Sequence, residues 1–143
     1  KYSVHVGGGR NHRMNLSDGV LIKDNHIAAL RNEGNTLEQV IKKARSYAPH
    51  TLKVEVEVES VQGAISAASA GADIVMLDNM HPDDMRSAVV QISDQCIVEA
   101  SGGVTLENVA EVARSGVDII SIGALTHSPP ALDISLNYEA KTT

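Results

Sequence analysis

Hydrophobic and polar positions along the chain repeat with two alternating periods. Short β-branched runs are followed by stretches of about a dozen residues in which apolar side chains recur at i, i+3, i+4 and i+7. This pattern predicts strands that are each followed by an amphipathic helix. The predicted strands are Val20 to Lys23, Leu52 to Val58, Ile74 to Leu77, Ile97 to Ala100 and Ile119 to Ile122. The predicted helices cover residues 37–44, 61–68 and 106–113, and a further helix begins at Pro82.

The predicted helix ends carry suitable capping residues. Thr36 and Gln39 match a capping box, and Thr105 is expected to cap the helix that follows it. Gly71 and Gly116 stand where a helix C-terminus favours a left-handed residue. These boundaries support the alternation of strands and helices.

An internal repeat indicates how the units are arranged. Residues 71–78 (GADIVMLD) and 116–123 (GVDIISIG) share one pattern and start 45 residues apart. Repeated βα units with right-handed crossovers form either an open doubly wound sheet or a barrel. The repeat and the apolar strands favour a barrel, and a complete eight-unit barrel needs about 250 residues. We therefore expect an α/β fold in which residues 1–143 form part of an incomplete, TIM-like α/β barrel.

Composition narrows the class of protein. The chain has no Phe, no Trp, three Tyr and a formal charge of −6, whereas nucleic-acid binders need stacking aromatics or clustered cations. No stretch approaches the roughly 20 apolar residues of a membrane span. Cys96 has no partner for an internal disulfide, which suits a reducing compartment, and we expect it to be a small core residue in a cytoplasmic protein. Nucleic-acid and membrane partners are therefore not expected.

The predicted strand at residues 52–59 carries an unusual set of acids. Glu55, Glu57 and Glu59 alternate with valines, so that a strand would place the carboxylates on one face. In a barrel they would point into the lumen, close to the possible counter-charges Arg10, His12, Arg13 and Lys23. The alternative is an exposed edge strand with a solvated acidic face. Asp78 ends a neighbouring strand and favours a site for Mg²⁺ or for sugar hydroxyls.

Glycines follow the later strands. Ser101, Gly102 and Gly103 precede a predicted helix, and backbone amides at a glycine turn and a helix N-terminus favour anion binding. Gly123 and Ala124 occupy the corresponding place in the next unit, as in barrels that hold a phosphate on their last loops. The alternative is that the glycines only make tight turns.

Other polar positions are more ambiguous or structural. Residues 7–13 (GGGRNHR) match neither the dinucleotide fingerprint nor the P-loop, and they indicate either a mobile turn that presents cations or a solvated surface loop. Six further residues are expected to be structural. The histidines His5, His50 and His81 are expected at surfaces or turns, and Met76, Met80 and Met85 in the core.

Six stretches, taken in order, resemble one enzyme family. They are GGGRNHR at 7–13, LIKDNH at 21–26, VEVEV at 54–58, MLDN at 76–79, EASGG at 99–103 and SIGALTH at 121–127. Together they are similar to the carboxyl-terminal half of quinolinate phosphoribosyltransferase, also called nicotinate-nucleotide diphosphorylase (carboxylating). The resemblance implies transfer of phosphoribose from 5-phosphoribosyl-1-diphosphate to quinolinate with decarboxylation, in de novo NAD synthesis. It also implies Mg²⁺ as the cofactor.

The resemblance assigns roles to individual residues. By this correspondence His12, Arg13 and Lys23 hold the two carboxylates of quinolinate. Glu57 and Asp78 meet the ribose hydroxyls and the metal, and are the expected catalytic pair. The phosphate-binding positions are Ser101, Gly102, Gly103, Gly123 and Ala124, with His127 beside the last loop.

The same family has parts that this chain does not match. The resemblance implies an amino-terminal sandwich domain, a first barrel strand with a Thr-Arg-Lys motif, and an arginine from a neighbouring subunit, all upstream of Lys1. Residues 1–143 would then be the carboxyl-terminal part of the barrel domain, within a homodimer or larger oligomer whose subunits share active sites. We expect this chain alone to bind quinolinate poorly and to turn over negligibly.

Two other functions remain possible from the sequence. One is the related phosphoribosyltransferase-like protein associated with molybdate transporters, which shares the glycine and His-Arg signatures. The other is a βα scaffold or interaction domain without catalytic activity.

Overall fold

Five parallel strands form the centre of the fold in the computed structural model, which describes residues 1–138. They are β1 (Val20–Ile22), β2 (Val54–Val58), β3 (Ile74–Asp78), β4 (Ile97–Ser101) and β5 (Ile119–Ile120), each within a predicted strand or one residue from it. They pair in the order β1-β2-β3-β4-β5, so that every strand lies beside the next one in the chain. A doubly wound sheet reverses its strand order at a switch point, whereas a barrel keeps sequence order. Because β1 and β5 do not pair within residues 1–138, the sheet is an open part of a barrel, as predicted.

Seven helices accompany these strands within the described part of the chain. They are α1 (Tyr2–Val6), α2 (Asp24–Asn32), α3 (Leu37–Tyr47), α4 (Val61–Ser69), α5 (Pro82–Ile92), α6 (Val109–Arg114) and α7 (Ala124–His127). The predicted capping box of α3 is confirmed, because Gln39 N–H donates to Thr36 Oγ1 and Thr36 N–H donates to Gln39 Oε1. Helices α1, α2 and α7 were not predicted. Ile27 is the single buried residue of α2, and α1 and α7 bury none, so their apolar periodicity is weak.

The prediction for α6 was wrong at its start. The helix begins at Val109 rather than near Leu106, whose side chain is 90% exposed. Asn108 Oδ1 accepts from Thr105 N–H at 2.8 Å, and Asn108 Nδ2 donates to Gly103 O at 2.9 Å. This side chain holds residues 103–108 in a turn, and therefore Thr105 does not cap the helix.

The two faces of the sheet differ in chemistry. Val54, Val56 and Val58 of β2 pack with buried helix residues in an aliphatic core, together with fully buried Ile41 and Leu77. Fully buried alanines bring α4 and α5 close to the sheet, and they are Ala64, Ala67 and Ala88. The three tyrosines are all more than 80% exposed. Burial of aliphatic surface therefore stabilises this core without aromatic side chains.

The internal repeat has a specific structural role. Asp73 Oδ2 accepts from Val54 N–H at 2.8 Å, and Asp118 Oδ2 accepts from Val98 N–H at 2.8 Å. In each case the aspartate that precedes one strand binds the first or second amide of the neighbouring strand. Gly71 and Gly116 end the preceding helical segments with φ of 88° and 93°, as their predicted role requires. The repeat thus sets the register of two strand pairs at their amino ends.

Several expectations about single residues can be compared with the structure. His5, His50 and His81 are exposed, and Met80 and Met85 pack in the core. Met76 is buried but lies on the face of the sheet away from the helices. Cys96 is half-buried against the core, as expected for a structural thiol. Among residues 1–138, no helix has the length and apolar character that crossing a membrane requires.

Candidate active site

A cleft of about 1220 Å³ lies against the polar face of the sheet. Seven of the predicted site residues line it, namely His12, Arg13, Lys23, Glu57, Asp78, Ser101 and Gly123. Four do not line it, namely Gly102, Gly103, Ala124 and His127. The cleft therefore brings together the residues expected to bind quinolinate and the expected carboxylate pair.

Strand β2 supplies two buried carboxylates to this cleft. Glu55 is 6% exposed and Glu57 is 8% exposed, and β2 lies between β1 and β3, which excludes a solvated edge strand. Glu59 does not join them, contrary to the prediction of three carboxylates on one face. The strand ends at Val58, and Ser60 then caps α4, so that the chain leaves the sheet and Glu59 is exposed.

Glu57 lies in a mixed electrostatic environment. Lys23, the residue that precedes α2, places its Nζ 3.5 Å from Glu57 Oε2. Burial raises the pKa of Glu57, the negative charges of Asp78 and Asp24 add to this, and the positive charge of Lys23 opposes it. Glu57 and Asp78 are therefore close enough for each charge to influence the other.

Glu55 belongs to a second cluster deeper in the cleft. His12 Nε2 lies 3.4 Å from Glu55 Oε2, and Ser121 donates its hydroxyl to Glu99 Oε1. Burial raises the pKa of Glu55, and the negative charge of Glu99 raises it further, while His12 and Arg13 oppose the shift. Glu99 and Ser121 were not predicted to be site residues. The available signal was one acid inside the apolar strand at residues 97–101, two positions before the expected Ser101.

The two clusters differ in how well they suit a metal ion. One ligand atom each from His12, Glu55 and Glu99 lies within 4.8 Å of the others, so these three residues could hold a cation. An imidazole nitrogen suits a transition metal better than Mg²⁺, which prefers oxygen. Glu57 and Asp78 offer two carboxylates that line the cleft, and Mg²⁺ is commonly bound by one or two carboxylates together with substrate phosphates. The predicted pair therefore fits Mg²⁺.

The segment that carries the predicted cations is hydrogen-bonded. Residues 7–9 form the turn that ends α1, where Gly9 N–H donates to Val4 O at 2.9 Å. Lys1 Nζ donates to Arg13 O at 2.7 Å, and Arg13 Nη1 donates to Gly19 O at 3.2 Å. A guanidinium has five N–H donors, so Arg13 keeps donors for a carboxylate in the cleft.

The glycine loops differ from the expectation in one respect. Ser101 lies beside Asp78 in the register of β3 and β4, and Gly102 and Gly103 follow with φ of 79° and 62°. Because α6 begins at Val109, the helix does not follow Gly103 as directly in the chain as predicted, but its N-cap residue Asn108 still contacts the turn, with Nδ2 donating to Gly103 O at 2.9 Å. The loop amides and Ser101 are the candidate anion-binding groups at this turn.

The last loop lies at the end of β5. Gly123 lines the cleft directly before the short helix α7. The ring of His127 folds back over it, since a Cβ on Gly123 would lie 3.1 Å from His127 Nε2. His127 is thus beside this loop but outside the cleft lining.

The sequence of this chain matches a known protein family. A family model described as quinolinate phosphoribosyl transferase, C-terminal domain, matches residues 1–137. The chain belongs to this family. The quinolinate phosphoribosyl transferase domain described here is thus recognised over almost its whole length, including every residue of the cleft.

Individual relatives agree with the family assignment. The domain is 50% identical over 141 residues to a probable nicotinate-nucleotide pyrophosphorylase [carboxylating] of Archaeoglobus fulgidus, covering 95% of this chain and 52% of that protein. It is 44% identical over 144 residues to the human nicotinate-nucleotide pyrophosphorylase [carboxylating], covering 99% of this chain and 47% of that protein. The crystal structure of NadC from Streptococcus pyogenes superposes with a TM-score of 0.85 at 44% identity, covering 96% of this chain and 47% of that one. The chain therefore spans about half the length of these relatives.

Proposed function

We propose that the full-length protein transfers phosphoribose from 5-phosphoribosyl-1-diphosphate to quinolinate with loss of CO₂, giving nicotinate mononucleotide and diphosphate. The observation that carries this proposal is the arrangement of opposite charges in one cleft. His12, Arg13 and Lys23 line it together with Glu57 and Asp78. A planar dicarboxylate needs fixed cations, and a ribosyl cation in a transition state needs nearby carboxylates.

The cations would hold and orient quinolinate. Arg13 is half-buried and anchored through Gly19, so its remaining donors can bind a carboxylate bidentately at little cost in side-chain entropy. Lys23 is 53% exposed and can exchange its contact with Glu57 for a contact with substrate. Fixing both carboxylates would aim the ring nitrogen at the anomeric carbon of the ribose.

The carboxylates would act on the ribosyl group. As diphosphate leaves, positive charge develops at the anomeric carbon, and Glu57 and Asp78 would stabilise it electrostatically. Glu57 and Asp78, together with substrate phosphates, would hold Mg²⁺, which would supply positive charge to neutralise the leaving diphosphate. Amides of the 101–103 and 123–124 loops, with Ser101, would bind phosphate.

Decarboxylation then follows from the product of transfer. Once the ring nitrogen carries the ribose it is positively charged, so the carbon–carbon bond to the adjacent carboxylate can break. The electron pair of that bond stays on the ring carbon, in the plane of the ring, where the adjacent positive nitrogen stabilises it. A proton from solvent water then binds this carbon, and the ring remains an aromatic pyridinium throughout. The residues of this chain need only hold the intermediate in place.

The alternative functions have less support. The relatives carry the name of the carboxylating pyrophosphorylase, which favours this activity over the molybdate-transporter-associated protein. Glu55 and Glu57 are more than nine-tenths buried, and burying carboxylates costs folding free energy. A scaffold without catalytic activity would have no reason to carry this cost, which disfavours that alternative.

Activity of the full-length protein tests this function directly. We expect quinolinate-dependent release of CO₂ and formation of nicotinate mononucleotide. The double variant Glu57→Gln with Asp78→Asn should lose at least a hundredfold in kcat, whereas Glu59→Gln, exposed beyond the end of β2, should not. Activity without quinolinate dependence would contradict the proposal, and an unaffected double variant would contradict the roles of that pair.

Three further properties belong to the same proposal. The chain of 143 residues should turn over negligibly by itself, because it spans about half of its relatives. The full-length protein should form a homodimer or larger oligomer, which light scattering would measure. The unpaired thiol of Cys96 suits a cytoplasmic location, which fractionation of cells would test.

A further inference from the structure

Asn79 has a backbone conformation unlike that of the other side-chain-bearing residues. Its φ is 52°, and within residues 1–138 it is the one residue other than glycine with a positive φ. Asparagine tolerates the left-handed region better than most residues, but the conformation is still unfavourable. It persists here directly after Asp78, the last residue of β3. Unfavourable backbone conformations of this kind cluster at functional sites.

The left-handed turn directs both polar groups of Asn79 to neighbours in the site. Its side-chain Nδ2 donates to Asp78 Oδ2 at 2.8 Å. Its backbone N–H donates to Ser101 O at 2.9 Å. One residue therefore contacts the proposed catalytic carboxylate on β3 and the start of the glycine loop on β4.

Gly102 completes this arrangement by lacking a side chain. A Cβ at Gly102 would lie 2.5 Å from Asn79 Oδ1 and 2.8 Å from Asn79 N, closer than atoms can approach. The neighbouring Gly103 also has a positive φ, but a Cβ there would meet nothing closer than Asn79 Oδ1 at 3.8 Å. The loop thus rests directly on Asn79 at Gly102 and not at Gly103.

We infer that Asn79 is a positioning residue that fixes Asp78 and the Ser101–Gly103 loop relative to each other. This inference rests on the proposed function. By donating to Oδ2, the amide holds the Asp78 carboxylate in one orientation and leaves Oδ1 for a ligand. By seating Gly102, it sets the distance from that carboxylate to the loop amides. Ribosyl and phosphate groups of one substrate would then meet a preorganised pair of contacts.

The choice of amino acid at position 79 follows from these contacts. Aspartate tolerates the same backbone conformation but would place a second carboxylate against Asp78 and would lack the donor. Glycine would keep the turn and remove the side chain. Alanine would lose the donor and strain the turn as well. Asn79→Gly therefore isolates the side-chain contribution.

Steady-state kinetics of the full-length protein test the inference. We expect Asn79→Gly to lower kcat at least tenfold and to raise KM for 5-phosphoribosyl-1-diphosphate, while KM for quinolinate changes less than twofold. Asn79→Asp should be at least as impaired. The matched control is Asn32→Gly, at the exposed end of α2, which should behave as wild type.

A double-mutant cycle shows whether Asn79 acts through Asp78. In the background of Asp78→Asn, the further change Asn79→Gly should cost less than threefold in kcat, because the carboxylate it orients is gone. Equal losses in both backgrounds would overturn the inference. So would kcat and both KM values of Asn79→Gly within twofold of wild type.

A measurement that does not depend on activity separates this inference from the proposed function. Gly102→Ala should lower the Tm of the full-length protein by more than Gly103→Ala, because only the first adds an atom against Asn79. Combining each change with Asn79→Gly should recover part of the Tm loss for Gly102→Ala and none for Gly103→Ala. If Gly102→Ala and Gly103→Ala lower the Tm equally, both in wild type and in the Asn79→Gly background, the loop does not rest on Asn79 and the inference is overturned. If wild type lacks quinolinate-dependent activity, the proposed function fails and this Tm comparison still decides the contact.

Discussion

Lys23 and Glu57 form an ion pair at the carboxyl end of the sheet, with Lys23 Nζ 3.5 Å from Glu57 Oε2. The side chain of the lysine is 53% exposed and that of the glutamate 10%, so the pair joins a half-exposed cation to a nearly buried carboxylate. In the proposed mechanism these two residues serve different substrates. Their contact means that quinolinate binding at Lys23 would change the electrostatic surroundings of the carboxylate that faces the ribose.

Replacing Lys23 by Met should move the acid limb of the pH–rate profile to higher pH. Lys23 is the charge that opposes the raised pKa of Glu57, so its removal raises that pKa further. In the proposed mechanism Glu57 acts as a carboxylate, and activity should therefore be lost as pH falls through its pKa. The measurement is kcat at saturating substrates between pH 4 and 8. Lys42→Met is the matched control, because its partner Glu38 is exposed on α3, and an unmoved acid limb in Lys23→Met would count against the pair.

Replacing Glu55 by Gln should stabilise the full-length protein more at pH 7 than at pH 4. Burial and Glu99 raise the pKa of Glu55 above 4.5, so the folded state binds this proton more tightly than the unfolded state. Stability from this group is present at low pH and is lost as pH rises from about 4.5 through the raised pKa. Glutamine does not ionise and avoids this loss. The check is the difference in Tm between variant and wild type at both pH values.

The control for this prediction lies directly after the same strand. Glu59 is exposed beyond the end of β2, and Glu59→Gln should leave stability at pH 7 within about 0.5 kcal/mol of wild type. A Tm difference for Glu55→Gln that is equal at pH 4 and pH 7 would show that burial does not govern its ionisation.

Replacing Asp73 or Asp118 by Ala should destabilise the sheet. Each carboxylate accepts from the amide of a neighbouring strand at 2.8 Å, and losing it leaves a buried N–H without its partner. The expected cost is about 1–3 kcal/mol each, measured by thermal or chemical unfolding. Asp73 also pairs with Arg45 at 2.9 Å. The single variant Arg45→Met should therefore cause part of the destabilisation that Asp73→Ala causes. The control Asp133→Ala, at an exposed position, should leave stability within about 0.5 kcal/mol.

The thiol of Cys96 should react slowly with iodoacetamide. Burial raises its pKa, and the negative charges of Asp118 and Asp94 add to the shift, so little thiolate is present near neutral pH. Alkylation of the Cys96 peptide, followed by mass spectrometry at pH 7.5, should be slower than for an unfolded control in denaturant. Equal rates would indicate that the thiol is accessible and ionised in the folded protein.

Much of this architecture could be predicted from local patterns. Alternating valines and glutamates at 54–58 identified both the strand and its two faces, and spacing at 37–44 identified α3. The sequence also showed the repeat that contains Asp73 and Asp118. It did not show the structural role of these aspartates, because each carboxylate accepts from an amide 19 or 20 residues away in the chain. The sequence also identified seven of the residues that line the cleft, because most of these seven stand at or near the ends of predicted strands.

Two of the failures arose for different reasons. The late start of α6 depends on the side chain of Asn108, which closes a turn over Gly103, and helical spacing alone does not register such a competing hydrogen bond. The omission of Glu99 has a different reason. A single acid between apolar residues is uninformative until a neighbouring strand shows which face it occupies.

The amino-acid sequence by itself determined the βα order, the aliphatic core and the family, because these depend on periodicity and on motifs of neighbouring residues. Only the tertiary structure decided that His12 pairs with Glu55, that Glu55 lies against Glu99, and that Asn79 holds both Asp78 and the glycine loop. These contacts depend on the stagger of parallel strands and on left-handed turns between them. Both are set by packing of the whole sheet against its helices, so no short stretch of sequence contains them.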